Sequence, residues 1–258
     1  MPSSTIPESQ FDSIPACIED FRMCRWLFPP PSPPGGLSLL VLTVGCALGG
    51  GEFLVVLDDP SRENEADLII AAQDITTEQM GFMVHHSSGY ICAPLSQARA
   101  DALNLPPMVL HSEDVRGTAY TVSVDAADPA VTTGISAHDR ALTCRVLADP
   151  AATVGSLRRP GHVLPLRSVP GGVRRRTGHT EAATEFCRLA GKEEVAVICE
   201  IVDEGLEVPG RAVRSGVGML RGEACIAFAR KWGIKVCTIA DLVEYVEKTE
   251  GKLPANGA

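Results

Sequence analysis

An acidic run between two apolar segments places the tightest limit on how this chain can fold. Five carboxylates occur in the ten residues 58–67 (DDPSRENEAD), and the flanking runs FLVVL and LIIAA are typical of buried β-strands. The acidic run cannot be packed core, because an unpaired buried ion costs on the order of several kcal/mol. It forms either a solvated turn or an oxygen-rich site for Mg²⁺ or Mn²⁺, where Arg62 either neutralises the acidic run or binds a substrate phosphate.

Strand-like and helical patterns alternate along most of the chain, which predicts one α+β domain with a mixed β-sheet. Thr76 and Gln79 have the spacing of a capping box, which begins a helix. The connection 203–222 has no clear pattern. Further strands are predicted at 68–72, 90–93, 120–124, 163–166 and 195–202, and helices at 13–21, 76–87, 96–103, 136–147, 180–189, 223–232 and 239–246.

The segment 23–50 does not fit this alternation. It contains five prolines in the six positions 29–34 and a 12-residue apolar run, which is shorter than the roughly 20 residues that span a bilayer. We interpret it as a non-native insertion of 28 residues from an unspliced intron, with a genuine disordered loop as the alternative. The expected organisation is a tail and first helix at 1–22, one domain formed by 14–22 with 51–250, and a tail at 251–258.

Composition excludes several classes of protein. The net charge of −9 argues against nucleic acid or an anionic membrane as a partner, because binding to phosphate groups needs clustered Lys and Arg. The nine cysteines are scattered without a C-x-x-C pair, which argues against a secreted disulfide framework or a zinc knuckle. We expect reduced, buried cysteines and a cytoplasmic location.

A second polar cluster precedes the helix predicted at 180–189. Residues 174–182 read RRRTGHTEA, and arginines and hydroxyls beside the free N–H groups of a helix N-terminus form an anion site. His179 within this cluster is suited to bind a metal or to transfer a proton near neutral pH. The alternative is a basic turn with a capping threonine.

Three further signals are weaker. Alternation along 195–202 puts Glu200 on the face of Ile198, where an ionisable group is paired, acts as a base, or faces solvent at the strand end. His162, in the run RPGH, is either a functional or a surface histidine. The hydroxyl-rich stretch 125–134 (DAADPAVTTG) is a candidate phosphate cradle.

Together these segments resemble one family, the 3,4-dihydroxy-2-butanone 4-phosphate synthases of riboflavin biosynthesis. The matching blocks are DDPSRENEADLIIAA, FMVHHSSGYICAPL, YTVSVDAADPAVTTGISAHDRALTCRVLADP, and RRPGHVLPLRSVPGGVRRRTGHTEAATEFCRLAG followed by VAVICEI. They run in order from about residue 51 to residue 202. The resemblance implies an αβα sandwich of this family's type, a homodimer, and Mg²⁺ or Mn²⁺ as cofactor.

The resemblance also implies roles for individual residues. Glu63 and His179 match the family's metal ligands, and His162 and Glu200 match residues required for turnover. Ala66 stands where glycine is usual, which would strain the chain if that position has a positive φ. Positions that match substrate-binding residues are Arg62, Asp67, Arg176, Thr177, Gly178, Thr180 and Glu200. Candidate pocket residues are Asp58, Glu65, Cys92 and Thr132.

The implied reaction converts D-ribulose 5-phosphate to L-3,4-dihydroxy-2-butanone 4-phosphate and formate, which is lyase chemistry. Enolising a keto-sugar needs a proton acceptor, for which His162 and Glu200 are suited, and an electrophile, which Mg²⁺ supplies. The alternatives are a metal-dependent sugar-phosphate isomerase or aldolase, and a non-catalytic relative that binds a sugar phosphate or RNA. Formate release distinguishes the synthase from an isomerase.

Overall fold

Eleven strands and seven helices form in residues 6–22 and 52–254, the part of the chain that the computed structural model describes. The predicted insertion at 23–50 lies outside these residues. The strands are β1 (Leu54–Leu57), β2 (Ala66–Ala71), β3 (Cys92–Leu95), β4 (Val124–Ala126), β5 (Leu157–Arg167), β6 (Ala196–Glu200), β7 (Val202–Asp203), β8 (Leu206–Glu207), β9 (Arg214–Ser215), β10 (Gly218–Met219) and β11 (Lys235–Thr238). The helices are α1 (Ile14–Arg22), α2 (Thr77–His86), α3 (Gln97–Ala102), α4 (Ala137–Ala148), α5 (His179–Leu189), α6 (Glu223–Trp232) and α7 (Ile239–Glu250).

Seven strands pair into one mixed sheet with the order β11-β1-β2-β6-β3-β5-β4. β1 is parallel to β11 and β3 is parallel to β5, whereas the other neighbours are antiparallel. The four remaining strands are two residues long and form separate ladders, β7 with β10 and β8 with β9. These ladders give the connection 203–222 a regular structure that its sequence did not predict.

Helices cover both faces of the sheet, as the predicted αβα sandwich requires. Leu68 and Ile70 of β2 face one core, which they share with α2, α4 and α6. Val56 of β1 and Ile69 of β2 face the opposite core, which they share with α1, α5 and α7. β1, β2 and β3 are buried along their whole length because they lie between two helical layers, which explains their continuous apolar runs.

Local signals define where helices begin. Thr76 Oγ1 accepts a hydrogen bond from the Gln79 amide (3.1 Å), and Gln79 Oε1 accepts one from the Thr76 amide (3.0 Å). This is the predicted capping box, and α2 follows it directly. Ser136 caps α4 in the same way, by accepting from the Asp139 amide at 3.0 Å.

The first helix lies beside the first strand. Phe21 of α1 packs on Phe186 of α5, with ring centroids 5.8 Å apart. The backbone amide of Glu52 donates to the carbonyl of Asp20 at 3.4 Å, so the chain enters β1 next to the end of α1.

The strand prediction at 120–124 was wrong, and two other strands were missed in part or entirely. Around Tyr120 the pairing is limited to isolated bridges, and regular pairing starts at Val124. β5 begins six residues before the predicted start at 163, since a register shift beside Val124 accommodates the Pro-Gly pair. A Cβ at Gly161 would lie 2.0 Å from the Val124 carbonyl carbon. β11 was not predicted, because four residues between two helices give little periodic signal.

Seven cysteines belong to the described residues, and all of them are unpaired and buried, as expected for a reduced protein. Cys24 and Cys46 lie outside this part of the chain. None of the helices in the same ranges is both long and apolar enough to cross a membrane.

Candidate active site

Three of the predicted site residues, Asp67, His179 and Glu200, meet at one end of the sheet, on the face that α5 covers. The register pairs Val56 with Asp67 and Asp67 with Glu200, so the two carboxylates are neighbours across β2 and β6. Asp67 shares its face with Ile69, and Glu200 shares its face with Ile198, and both isoleucines belong to the core beneath α5. The predicted orientation of Glu200 is therefore confirmed.

Asp58 organises the acidic turn between β1 and β2. Its Oδ2 accepts from Arg62 Nη1 (2.9 Å) and from the Glu63 amide (3.1 Å), and its Oδ1 accepts from the Glu65 amide (2.9 Å). The one residue of this turn with a positive φ is Asn64, at 55°. Ala66 lies in β2, so the missing glycine causes no strain there.

Glu63 lies between two arginines. Its Oε2 accepts from Arg62 Nη1 at 2.5 Å, and its Oε1 is 3.7 Å from Arg116 Nε. Arg116 also donates to the Arg62 carbonyl. Arg116 therefore connects the turn to the loop that precedes β4 by a hydrogen bond and an ion pair. The acidic run is largely paired rather than solvated.

Asp67 and His179 face each other in the interior. His179, the first residue of α5, donates through Nε2 to the Val56 carbonyl at 3.0 Å, which leaves Nδ1 with a free lone pair. This Nδ1 lies 3.7 Å from Asp67 Oδ1. Burial lowers the pKa of His179, so its ring is neutral at physiological pH. Burial, followed by the charges of Glu200 and Glu63, raises the pKa of Asp67 well above its usual range.

These two side chains fit a divalent cation. Asp67 Oδ1 is buried and has no hydrogen-bond partner within the described part of the chain, and it faces a neutral imidazole nitrogen. An orphaned carboxylate oxygen beside an imidazole lone pair is completed by a metal ion and not by another acceptor. Glu63 is held apart from this pair by its arginines, so no three ligand atoms of the site yet lie within 4.8 Å of one another in 6–22 and 52–254.

Arg176 makes several contacts in front of α5. It bonds Glu181 Oε2 at 2.5 Å through Nη1, and its other nitrogens reach the Arg116 carbonyl and Thr118 Oγ1. A Cβ at Gly178 would lie 2.3 Å from Arg176 Nη1, so a larger residue at the start of the helix would displace the end of this arginine side chain. The predicted Arg176–Thr180 run thus forms a rigid entrance to α5.

The remaining members of this run differ in exposure. Thr177 is exposed, and Thr180 is buried. The first helical hydrogen bond runs from the Ala182 amide to the Gly178 carbonyl, which leaves the amides of 179–181 outside the helical ladder. Free amides with an arginine beside them can bind a phosphate.

His162 is held by a carboxylate that the sequence did not single out. The Asp125 carboxylate accepts from the His162 amide and from His162 Nδ1, each at 2.8 Å. Nε2 is then the free nitrogen of a ring that is 41% exposed. A Cβ at Gly134 would lie 2.1 Å from Asp125 Oδ2 and 2.5 Å from His162 Nδ1, so the loop passes directly against this pair.

Glu200 and Cys92 complete the floor of the site. Glu200 Oε2 accepts from Ser88 Oγ at 3.0 Å. Burial, then the charge of Glu200, raises the pKa of Cys92 well above its usual range, so Cys92 is a thiol and not a nucleophile. Burial, then the charge of Glu63, also raises the pKa of Glu65, which lies 3.7 Å from Arg221 Nη2 through Oε1.

Thr132, a candidate pocket residue, is engaged elsewhere. Its hydroxyl donates to Asp139 Oδ2 at 2.8 Å, and its amide donates to the same oxygen at 3.1 Å. The phosphate cradle suggested for 125–134 is therefore a loop folded around a buried carboxylate. The Thr132 hydroxyl and the amides of Thr132 and Gly134 hold the loop against Asp139 of α4.

Sequence reasoning missed three residues that contact the site. Arg116 lies in a loop without a pattern, Ser88 follows α2, and Asp125 lies next to His162 only because β4 and β5 pair. A carboxylate one strand away from a functional histidine leaves no local signal. Only the pairing of DAAD with RPGH would have revealed it.

Comparisons with known proteins all identify the same family. Residues 44–245 match the family model of 3,4-dihydroxy-2-butanone 4-phosphate synthase. The synthase of Pyricularia oryzae is 61% identical over 259 residues, with 100% of both chains covered. The synthase of Schizosaccharomyces pombe is 52% identical over 198 residues, 76% of this chain and 92% of that relative.

A solved structure agrees with the fold as well as the sequence. A crystal structure of 3,4-dihydroxy-2-butanone 4-phosphate synthase in complex with two magnesium ions is 62% identical, has a TM-score of 0.83, and covers 94% of this chain and 100% of that chain. The chain therefore belongs to the 3,4-dihydroxy-2-butanone 4-phosphate synthase family, the lyases of riboflavin biosynthesis.

Proposed function

We propose that the α5-covered end of the sheet is the active site at which this chain converts D-ribulose 5-phosphate to L-3,4-dihydroxy-2-butanone 4-phosphate and formate. The observation that carries this assignment is the buried pair of Asp67 Oδ1 and His179 Nδ1, 3.7 Å apart, with no hydrogen-bond partner for the carboxylate oxygen among the described residues. A cation bound by His179 would lie beside this carboxylate oxygen and satisfy it, and the family reaction is metal-dependent.

In this assignment Glu63 and His179 bind Mg²⁺, and Mn²⁺ is the second metal that the same ligand types accept. When bound, the ion stabilises the negative charge that develops on the sugar oxygens during enolisation. The bond from Nε2 to the Val56 carbonyl fixes the tautomer of His179 and aims Nδ1 at the site. Arg62 and Arg116 hold the Glu63 carboxylate at the acidic turn.

The entrance to α5 is the proposed phosphate site. Arg176, Thr177, Gly178 and Thr180 lie at or before its first turn, where helix amides favour an anion. Arg62 and Asp67 contact the sugar in this assignment. Asp58 and Glu65 support the turn that carries Arg62 and Glu63, since Asp58 accepts from both the Glu63 and Glu65 amides.

His162 and Glu200 are the proposed proton-transferring residues. Asp125 fixes His162 in the tautomer whose Nε2 is free, so this nitrogen can accept a proton from the sugar. Glu200 lies beside Asp67 in the sheet and is oriented by Ser88. A histidine and a carboxylate are groups that can remove and return the protons of an enolisation.

We also propose that the chain acts as a homodimer in a reducing, cytoplasmic setting. In the loop that supplies Arg116, the side chains of Leu110 and Val115 are 92% and 95% exposed. Ile135, in a separate segment near His138, is 53% exposed. Exposed apolar side chains concentrated in one loop are typical of an interface. Sedimentation of the purified protein tests this, and a monomer for the wild type would contradict it.

The test of the site is formate release from D-ribulose 5-phosphate with and without Mg²⁺. We expect activity in Mg²⁺, none in EDTA, and a loss of about 10³-fold or more in Glu63→Ala and in His179→Ala. Glu244→Ala, on α7, is the matched control and keeps wild-type activity. Full activity in either site variant would overturn the assignment, and turnover of the substrate without formate would indicate an isomerase.

A further inference from the structure

A second cluster of metal-ligating side chains lies outside the proposed Mg²⁺ site. His85 and His86 are the last two residues of α2, and Glu204 lies between β7 and β8. One ligand atom from each of the three lies within 4.8 Å of the others. His86 Nδ1 and Glu204 Oε1 are 3.5 Å apart, and the two imidazole rings are 4.5 Å apart between centroids.

The structure holds two of these ligands in place. The His86 ring packs between Phe82, at 4.6 Å, and Trp232, at 4.9 Å between centroids. Arg214 Nη2 lies 3.7 Å from Glu204 Oε2, so this arginine faces one carboxylate oxygen while the other faces His86. Fixed ligands lose little conformational freedom when a metal binds.

The charge state also suits a metal. The Glu204 carboxylate, 3.5 Å from His86 Nδ1, supplies negative charge to balance a divalent cation. Lys231 and Arg214 are the cations near the cluster, and Arg214 already neutralises part of the Glu204 charge. The site therefore favours an ion that binds imidazole covalently over one held by charge alone.

We propose that His85, His86 and Glu204 bind a transition-metal ion of the Zn²⁺ class. Two imidazoles and one carboxylate are ligands for Zn²⁺, Cu²⁺ or Ni²⁺, whereas Mg²⁺ prefers oxygen ligands. Ligands at about 2.1 Å from a tetrahedral ion lie about 3.4 Å apart, so the observed spacing closes by side-chain rotation. Three protein ligands leave the fourth position for water.

This ion would join two parts of the fold. His85 and His86 belong to α2, whereas Glu204 belongs to the 203–222 segment, whose far end brings Arg221 within 3.7 Å of Glu65. Ser88, two residues after His86, bonds Glu200. A metal at this position would fasten the 203–222 segment beside the acidic turn. None of these three ligands takes part in the proposed reaction.

The first test is calorimetric titration of the Mg²⁺-saturated protein with Zn²⁺. We expect the wild type to bind one equivalent of Zn²⁺. His85→Gln and Glu204→Gln should each weaken this binding about tenfold or more, because loss of even an outer-shell partner of a metal ligand lowers metal affinity by that factor. Zn²⁺ that displaces Mg²⁺ contributes equally in all variants, so it does not affect the comparison of their Zn²⁺ affinities. Glu207→Gln, in the same segment but outside the cluster, keeps wild-type Zn²⁺ binding. Equal binding in the wild type and both cluster variants would overturn the proposal.

The second test uses Trp232, which contacts His86. In a Trp26→Phe background Trp232 is the only tryptophan, because the chain has 2. Bound Cu²⁺ quenches the fluorescence of a neighbouring indole. One equivalent of Cu²⁺ should therefore quench the Trp232 fluorescence of the Mg²⁺-saturated protein. His85→Gln or Glu204→Gln should remove this quenching. Quenching that both substitutions leave unchanged would exclude binding at this cluster.

Discussion

Asp125 fixes His162 at two points: Oδ1 accepts from the backbone amide and Oδ2 accepts from ring Nδ1, each at 2.8 Å. One side chain therefore sets both the position of the strand and the tautomer of the ring. The only ring nitrogen left to exchange a proton is Nε2. Asp125 is a positioning residue in the proposed mechanism, since it acts through His162.

Asp125→Asn should lower kcat by about 10²-fold, because an amide can donate to Nδ1 and so stabilise the wrong tautomer. KM should change little, since Asp125 lies behind the histidine. Formate release over a range of substrate concentrations and pH measures both parameters. Asp128→Asn, at the next turn of the same loop, is the control, and an unchanged kcat in Asp125→Asn would show that His162 does not transfer protons.

Gly134→Ala should disturb the same pair from the other side. The new methyl group would meet Asp125 Oδ2 at 2.1 Å and His162 Nδ1 at 2.5 Å, and displacement of a proton-transferring group by about 1 Å costs about 10²-fold in rate. Gly191→Ala has a similar positive φ, 70° against 91°, but meets nothing within 4 Å. It therefore controls for backbone strain alone. Steady-state kinetics that are equally reduced in both variants would contradict this explanation.

Asp67→Asn should stabilise the metal-free protein and abolish its stabilisation by Mg²⁺. The substitution removes a buried carboxylate whose Oδ1 has no partner in the described structure, so we expect a gain on the order of 1 kcal/mol in EDTA. The rise in melting temperature on adding Mg²⁺ should disappear, because the ion loses its anionic neighbour. Asp149→Asn, at the end of α4, should keep the Mg²⁺ response. A normal Mg²⁺ shift in Asp67→Asn would place the ion elsewhere.

Asp139 should make stability depend on pH. Burial alone would raise the pKa of Asp139, but hydrogen bonds from His138, Thr132 and Gly134 outweigh it and hold this pKa well below 3.8. A carboxyl whose pKa is lower in the folded state stabilises the fold above its unfolded pKa, and that stability is lost as pH falls toward the folded value.

Asp139→Asn should therefore cost about 1–3 kcal/mol in the free energy of unfolding at pH 7, and less at pH 3. Urea titrations of wild type and variant at both values measure the difference. A difference that stays constant between the two pH values would mean that the charge of Asp139 is not what orders the loop.

The sequence predicted the parts of this fold that depend on local chemistry. The capping box at Thr76 and the apolar stripe of α1 give helix boundaries within one residue of those observed, because each is set by neighbours along the chain. β11 and the start of β5 depend on strand pairing between distant segments. β11 pairs with β1 across about 180 residues, which no local pattern records.

The site divides in the same way. The acidic run 58–67, His179 and Glu200 are candidates from the sequence alone, because carboxylates between two strands and a histidine at a helix start are conspicuous. Their partners were not found. Arg116 reaches Glu63 from a loop 53 residues away, and Asp125 reaches His162 from 37 residues away, so both contacts follow from topology.

The contact between the Glu52 amide and the Asp20 carbonyl has a thermodynamic consequence. The chain leaves α1 and enters β1 at one place, so whatever connects Arg22 to Glu52 forms a loop whose ends are fixed by the domain. Even for a fully flexible connection, lengthening such a loop from about 3 to about 29 residues costs only about 2 kcal/mol in closure entropy. The length of the chain between these residues can therefore vary widely among related sequences while the domain still folds. The acidic turn at the far end of β1 is unaffected by that variation.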